Sequence, residues 1–165
     1  QESRGLGDVY KRQNNLEHLF DKYKVNPNHL IIEITESTAM HHIEASIRTL
    51  QRLREMGIRL AIDDFGTGHS SFLYLKNLPV DELKIDRGFI HELTVGSKDE
   101  MILESIVHLA IRLGLVVTAE GVESPLQMEI LSRLGCQQLQ GYLLGMPMDV
   151  KRLEEFEYTS STYFN

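Results

Sequence analysis

Asp63 and Asp64 stand side by side in Ala61-Ile62-Asp63-Asp64-Phe65-Gly66-Thr67-Gly68, where small and apolar residues lead into the pair and two glycines bracket a threonine. Adjacent carboxylates at the end of a buried strand are costly unless a cation or hydrogen-bond donors compensate them. A divalent metal is the compensation that lets both stay ionised. The glycines permit a sharp turn and a close backbone approach to a ligand. An Asx turn with an N-cap is the structural alternative; the Phe-Gly-Thr-Gly run favours a metal-binding loop. If the strand continues through the pair, the two side chains point to opposite faces. One could then bridge two metals while the other binds one metal or anchors the loop.

Further chemistry-bearing residues stand at the ends of other strand-like runs. Glu33 lies among isoleucines in Ile31-Ile32-Glu33-Ile34-Thr35-Glu36, where a purely solvated role is the less natural one. Glu36 fits a site or the acidic first turn of a helix. Lys84 and Asp86 share parity around Ile85 and should face the same side. They could form a structural pair, or Lys84 could orient a water and neutralise developing negative charge. Glu120, between Val116-Val117-Thr118-Ala119 and Gly121, is a candidate general base or metal ligand. Glu123 reads more simply as structural. Gln140-Gly141-Tyr142 offers an amide and a flat ring. His41-His42 reads as a solvated face at a helix start, His69 as lining the glycine loop, and Cys136 as core. The sequence carries no P-loop and no Gly-x-Gly-x-x-Gly run.

These residues need a scaffold, and the pattern supplies one. Leu16, Leu19, Phe20 and Tyr23 fall at helical spacing before Pro27 and a strand over Leu30–Ile34. Ile47, Leu50, Leu53 and Met56 mark a second helix stopped at Gly57. The strand Leu60-Ala61-Ile62 follows, then a short helix from Ser71 to Leu78 and a strand over Glu82–Ile85. Ser97 and Glu100 resemble a capping box, opening a helix that ends near Gly114. Next come the strand Leu115–Ala119, a helix started by Ser124, Pro125 and Gln127 and closed by Gly135, a strand over Gln138–Tyr142, and a last helix over Val150–Phe156.

This is β/α alternation with short connections, hence an α/β chain with a parallel sheet. A polar group closes each strand, at Glu33, Asp63, Lys84, Glu120 and Gln140, separated by 30, 21, 36 and 20 residues. A (β/α)₈ barrel allots about 30 residues per unit and places its chemistry at the carboxyl ends of its strands. A doubly wound sheet concentrates its site at one switch point, so the TIM-like (β/α) barrel is the better fit. Five units make it incomplete.

Composition narrows the function classes. The chain has 165 residues, 42% hydrophobic and 25% charged, as in one globular domain. No apolar run reaches the length of a membrane span. A net charge of −7 argues against loose binding to bulk nucleic acid; an anionic substrate would need bound cations to reverse the local sign. The single Cys136 forms no internal disulfide, which points to the cytoplasm. Residues 1–13 are expected to be a non-native leader, residues 14–157 the partial barrel domain, and residues 158–165 a frayed tail.

Six ordered motifs together resemble the EAL family of bacterial cyclic di-GMP phosphodiesterases. They are Glu33-Ile-Thr-Glu36, Asp63-Asp64-Phe-Gly-Thr-Gly68, Leu78-Pro-Val-Asp81, Lys84-Ile-Asp86-Arg87, Ala119-Glu120-Gly-Val-Glu123 and Gln140-Gly-Tyr142. The resemblance implies a TIM-like barrel, of which this chain would hold about the last five of eight β/α units. It also implies hydrolysis of cyclic di-GMP to linear pGpG with two magnesium or manganese ions. Glu33 and Asp63 would ligate metal, Asp63 as the bridge, and Asp64 would serve the second metal. Lys84 would hold the attacking water, and Glu120 would act as base or second-metal ligand. Glu36 would brace the Asp63-Asp64 loop and Gln140 would help order the site, with Asp86 and Glu123 supporting it.

The family's Glu-Ala-Leu segment, with its metal-binding Glu and substrate-contacting Arg, is absent from this sequence, as is the strand carrying a metal-binding Asn. A fragment of weak or no activity is therefore expected, with an open sheet edge that invites a homodimer. Sensory or cyclase domains are expected in the parent chain. A non-catalytic cyclic di-GMP sensor or interaction module is one alternative. A barrel glycosidase using Glu33 and Glu120 is another.

Overall fold

Five short strands, all parallel, carry the molecule in strict chain order: β1 (Ile31–Thr35), β2 (Arg59–Phe65), β3 (Glu82–Ile85), β4 (Val116–Glu120) and β5 (Gln138–Gln140). The structure, a computed structural model, describes residues 16–67 and 72–155. The expected leader and tail, Gly68, His69 and Ser71 lie outside these residues. Residues 16–23 form α1. The remaining helices are α2 (Glu36–His41), α3 (Ile43–Glu55), α4 (Phe72–Leu75), α5 (Lys98–Arg112), α6 (Pro125–Leu134) and α7 (Val150–Glu155).

The strand order separates the two architectures left open by alternation alone. A doubly wound sheet reverses direction at its switch point; here each strand pairs only with its sequence neighbours, as in a segment of a barrel. Crossovers of one hand then place the helices on one face of the sheet.

Register shows what each face carries. Leu60, Ile62, Leu83, Ile85, Val117 and Ala119 are buried apolar residues that share a core with Leu50 of α3, Leu103, Ile106 and Val107 of α5, and Ile130 and Leu131 of α6. Each fully buried Leu or Ile contributes roughly 1.5–3 kcal/mol, so this face holds the layers together. The opposite face is polar. Pairing aligns Glu33 with Ala61, Ala61 with Glu82, Lys84 with Thr118 and Glu120 with Gln140. Residues aligned across parallel strands lie on the same side, so the fold presents one wall of acids, amides and a single lysine.

Local signals account for most element ends. Ser124 accepts from the Gln127 N–H, and the Gln127 side chain accepts from the Ser124 N–H, a complete capping box with Pro125 in the first turn. Ser97 caps α5 through the Glu100 N–H, but the Glu100 side chain turns to the Gly96 N–H and to Arg133 of α6, leaving that box half made. Two elements depart from the sequence reading. Glu36–His41 is a separate six-residue helix, capped by the Thr35 hydroxyl on the Thr38 N–H. His41 thus ends one helix, and His42 stands at the N-cap position of the next without a side-chain capping bond, both exposed. The last strand stops at Gln140 instead of Tyr142, because the backbone at Gly141 crosses the backbone of Val122.

Candidate active site

Lys84 is the hub of the polar wall. Its ammonium lies 2.8 Å from Glu33, 2.7 Å from Glu120 and 3.3 Å from Asp63, while its own side chain is 8% exposed. Burial alone would push the ammonium pKa down. Hydrogen bonds to Glu120 and Glu33, then the charges of Glu120 and Asp63, outweigh that effect and hold Lys84 above its usual range. One cation thus ties β1, β2 and β4 together from β3. Asp86 is not among its ion partners. Since β3 ends at Ile85, strand parity lapses there, and Asp86 caps the 3-10 turn Arg87–Phe89 through the Gly88 N–H at 2.8 Å.

Asp63 and Asp64 do not point to opposite faces. The β2–β3 register shifts between Ile62 and Phe65, and Asp64 takes a φ of 55°. That left-handed residue, uncommon for anything but glycine, breaks the alternation and brings its carboxylate back beside its neighbour. Carboxylate oxygens of Asp63, Asp64 and Glu120 lie within 4.8 Å of one another. Asp63 Oδ1 is buried and, although near the Lys84 charge, has no hydrogen bond aimed at it. Three convergent hard oxygens, with an Asp63 carboxylate oxygen lacking a hydrogen bond, fit a divalent cation, which gathers such ligands at about 2.0–2.6 Å. Glu33 stands outside this trio: it is 46% exposed on β1 and reaches the group through Lys84.

The loop after β2 is braced from both sides. Glu36, 2% exposed, accepts from the Gly66 N–H at 2.8 Å. A charged acceptor on a buried amide is among the stronger hydrogen bonds. Gly66 has a φ of 100°, and the Phe89 ring occupies the place where a Cβ would sit. Thr67 folds back onto the Asp64 carbonyl at 2.9 Å. On the far side, Val122 donates to the Gln140 carbonyl and Leu143 to the Val122 carbonyl, joining the loops after β4 and β5.

A cavity of about 350 Å³ opens over this arrangement, with Asp64, Asp86, Glu120, Glu123 and Gln140 in its lining. Arg87 and Tyr142 line it too. Arg87 was missed as a site residue; the available signal was a cation directly after Asp86 in an otherwise acidic rim. Glu82 was missed as well. It is a buried carboxylate on the polar face that accepts a hydrogen bond from the Thr118 hydroxyl, with Gln138 Oε1 3.2 Å from the same hydroxyl. Only strand register reveals it. Cys136 lies beside the core, where burial pushes its thiol up to about 12.

The fold and site thus define a β/α-barrel segment with a carboxylate–lysine centre at its strand ends, and comparison with known proteins gives the family. The EAL domain model matches residues 11–147. The chain belongs to the EAL domain family. It is 54% identical over 132 residues to the bifunctional diguanylate cyclase/cyclic di-GMP phosphodiesterase MucR of Pseudomonas aeruginosa, covering 80% of this chain and 19% of that protein. It is 46% identical over 127 residues to the cyclic di-GMP phosphodiesterase NbdA of the same organism, covering 77% and 16%. Among solved structures, the PaMucR phosphodiesterase in complex with c-di-GMP superposes with a TM-score of 0.80 at 51% identity, covering 85% of this chain and 57% of that one. A manganese/cyclic di-GMP complex of Klebsiella pneumoniae BlrP1 gives 0.76 at 30% identity, covering 86% and 37%. The chain therefore spans about a fifth of the length of these curated relatives.

Proposed function

We propose that this chain is the metal-bearing carboxyl segment of a phosphodiesterase domain that hydrolyses cyclic di-GMP to linear pGpG. The observation that carries the reading is the convergence of Asp63, Asp64 and Glu120 beside Lys84, with one buried Asp63 oxygen left without a hydrogen bond. Asp63, Asp64 and Glu120 would hold one magnesium or manganese ion. Glu33 and Asp63 would supply a portion of the shell of a second. When bound, such cations lower the pKa of a water and offset charge on phosphoryl oxygens.

The protein's own residues supply placement. Lys84 would hold the attacking water and neutralise charge that builds on the phosphoryl group. Glu120 is the candidate base, and Glu36 holds the Asp63-Asp64 loop still through Gly66. Gln140, Asp86 and Glu123 line the cavity, beside Arg87 as a cation for a phosphate oxygen. Sensory or cyclase domains in the parent chain are supported by the bifunctional relative, of which this chain spans 19%. A homodimer and a cytoplasmic setting complete the proposal. No observation favours the glycosidase reading.

Calorimetric titration with Mn²⁺ tests the centre directly. Binding by the unsubstituted 165-residue chain, and loss of it in Asp64→Asn and Glu120→Gln, is the expected result. Equal binding by all three proteins would remove the trio as the metal site.

A further inference from the structure

Gln127 sits in the first turn of α6, is 6% exposed, and has every hydrogen-bonding position of its amide engaged. Its Oε1 accepts from the N–H groups of Glu123 at 2.8 Å and Ser124 at 2.9 Å. Its Nε2 donates to the carbonyls of Ile90 at 2.8 Å and His91 at 3.4 Å. Two N–H groups on one side and two carbonyls on the other fix which end of the amide is which.

These four partners belong to two separate segments. Glu123 and Ser124 end the loop that leaves β4 after Glu120; Ile90 and His91 follow the turn that leaves β3 after Asp86. Between the segments lies a second cavity, of about 400 Å³, with Arg87, Gly88 and His91 on one wall and Gly121 and Glu123 on the other. It shares Arg87, Gly121 and Glu123 with the cavity over Asp64 and Glu120. The capping box uses only the Oε1 half of the amide, and a glutamate would serve it equally well. The requirement for an amide comes from the two carbonyls across the cleft.

We propose that Gln127 is a positioning residue that sets the width of the cleft between the Arg87–His91 turn and the Gly121–Glu123 loop. Through that width it sets the affinity for the portion of the substrate lying outside the metal-binding carboxylates. The identity of the ligand rests on the phosphodiesterase reading; the spacing does not.

Two substitutions separate positioning from helix capping. Gln127→Glu keeps the capping box and turns a carboxylate against two carbonyls. Ser124→Ala removes the hydroxyl that caps the Gln127 N–H and leaves the cross-cleft bonds in place. Hydrogen–deuterium exchange should quicken across residues 87–93 in Gln127→Glu, and only at the start of α6 in Ser124→Ala. In the presence of Mn²⁺, the dissociation constant for cyclic di-GMP should rise about tenfold in Gln127→Glu, the effect expected from releasing a pair of buried hydrogen bonds. It should stay near the parent value in Ser124→Ala, and Mn²⁺ affinity should be unchanged in both. Parent-like exchange over residues 87–93 in Gln127→Glu would overturn the proposal, as would equal weakening of dinucleotide binding by both variants. If exchange responds as expected but cyclic di-GMP binds neither to this chain nor to the same chain extended by the preceding β/α units of an EAL relative, the spacer role stands and the phosphodiesterase reading falls.

Discussion

At the scale of single residues the centre is a balance of charge, and Lys84 carries it. Without a metal, Lys84→Met leaves Glu33, Asp63 and Glu120 facing one another. Removing one partner of a buried ion pair costs about 3–5 kcal/mol; Glu33 is half exposed here, so a loss of about 2 kcal/mol in urea denaturation is expected. Saturating Mn²⁺ should return more stability to this variant than to the parent, since a ligand that binds only the folded state stabilises it. A variant as stable as the parent and indifferent to Mn²⁺ would remove Lys84 from the centre. Cys136 gives the pH prediction. Its thiol is raised from 9.0 in the unfolded chain to about 12 in the fold. Between those values the unfolded chain releases a proton that the folded chain keeps, so stability falls as pH rises. The slope is at most about 1.4 kcal/mol per pH unit. Cys136→Ala should flatten stability measured from pH 9 to 10, and the native thiol should resist iodoacetamide at pH 8 until the protein is unfolded. Asp63 and Glu120 were legible in the sequence because each follows a largely apolar run, and Glu33 and Lys84 because each interrupts one. The turning of Asp64 was not, since it depends on a register shift against β3. Gln127 was legible only as a helix start, because its other two partners lie 36 and 37 residues away in sequence.

At the scale of elements, sequence signals work where they are local. Gly57 and Gly135 close helices with positive φ, Ser97 and Ser124 open them, and β3 runs over Glu82–Ile85 as the alternation implies. They fail where a distant chain segment decides. Glu36 was readable as a site residue or as a helix's acidic first turn; it opens α2, but its partner, the Gly66 amide 30 residues away, has no local signal. Gly141 ends β5 for a similar reason: a Cβ there would lie 2.2 Å from both N and O of Val122. Gly141→Ala must therefore push these backbones apart and strain the Val122–Gln140 and Leu143–Val122 hydrogen bonds. A loss of about 3 kcal/mol is expected, the upper end for overpacking. Amide exchange should speed up over residues 138–145 while β1 to β3 keep their protection. Uniform exchange with unchanged stability would show that the crossing is not tight in solution.

At the scale of the whole molecule, the sheet has two ends and the chemistry has one open side. Among the described residues, β1 pairs only with β2 and β5 only with β4. The polar wall that a closed barrel would cover from across the lumen is open beside β1, where Glu33 is the most exposed member of the Lys84 cluster. On the proposed function, one metal cradle, Asp63 with Asp64 and Glu120, would lie wholly on β2 and β4, and Glu33 and Asp63 would supply only a portion of another. Two-metal hydrolysis needs both positions at once, and displacing a reacting group by about 1 Å can cost 10²-fold in rate. The 165-residue chain should therefore bind one Mn²⁺ ion and yield at most about 1% as much pGpG per unit time as the same chain extended by the β/α units that precede this segment in an EAL relative. Chromatographic detection of pGpG in matched reactions reads the ratio, and Glu120→Gln in the extended protein should abolish the product. Comparable rates with and without the extension would mean that a second copy, paired at the β1 edge, completes the centre. In that case activity should rise with the square of protein concentration at low concentration, because the active species would be a pair.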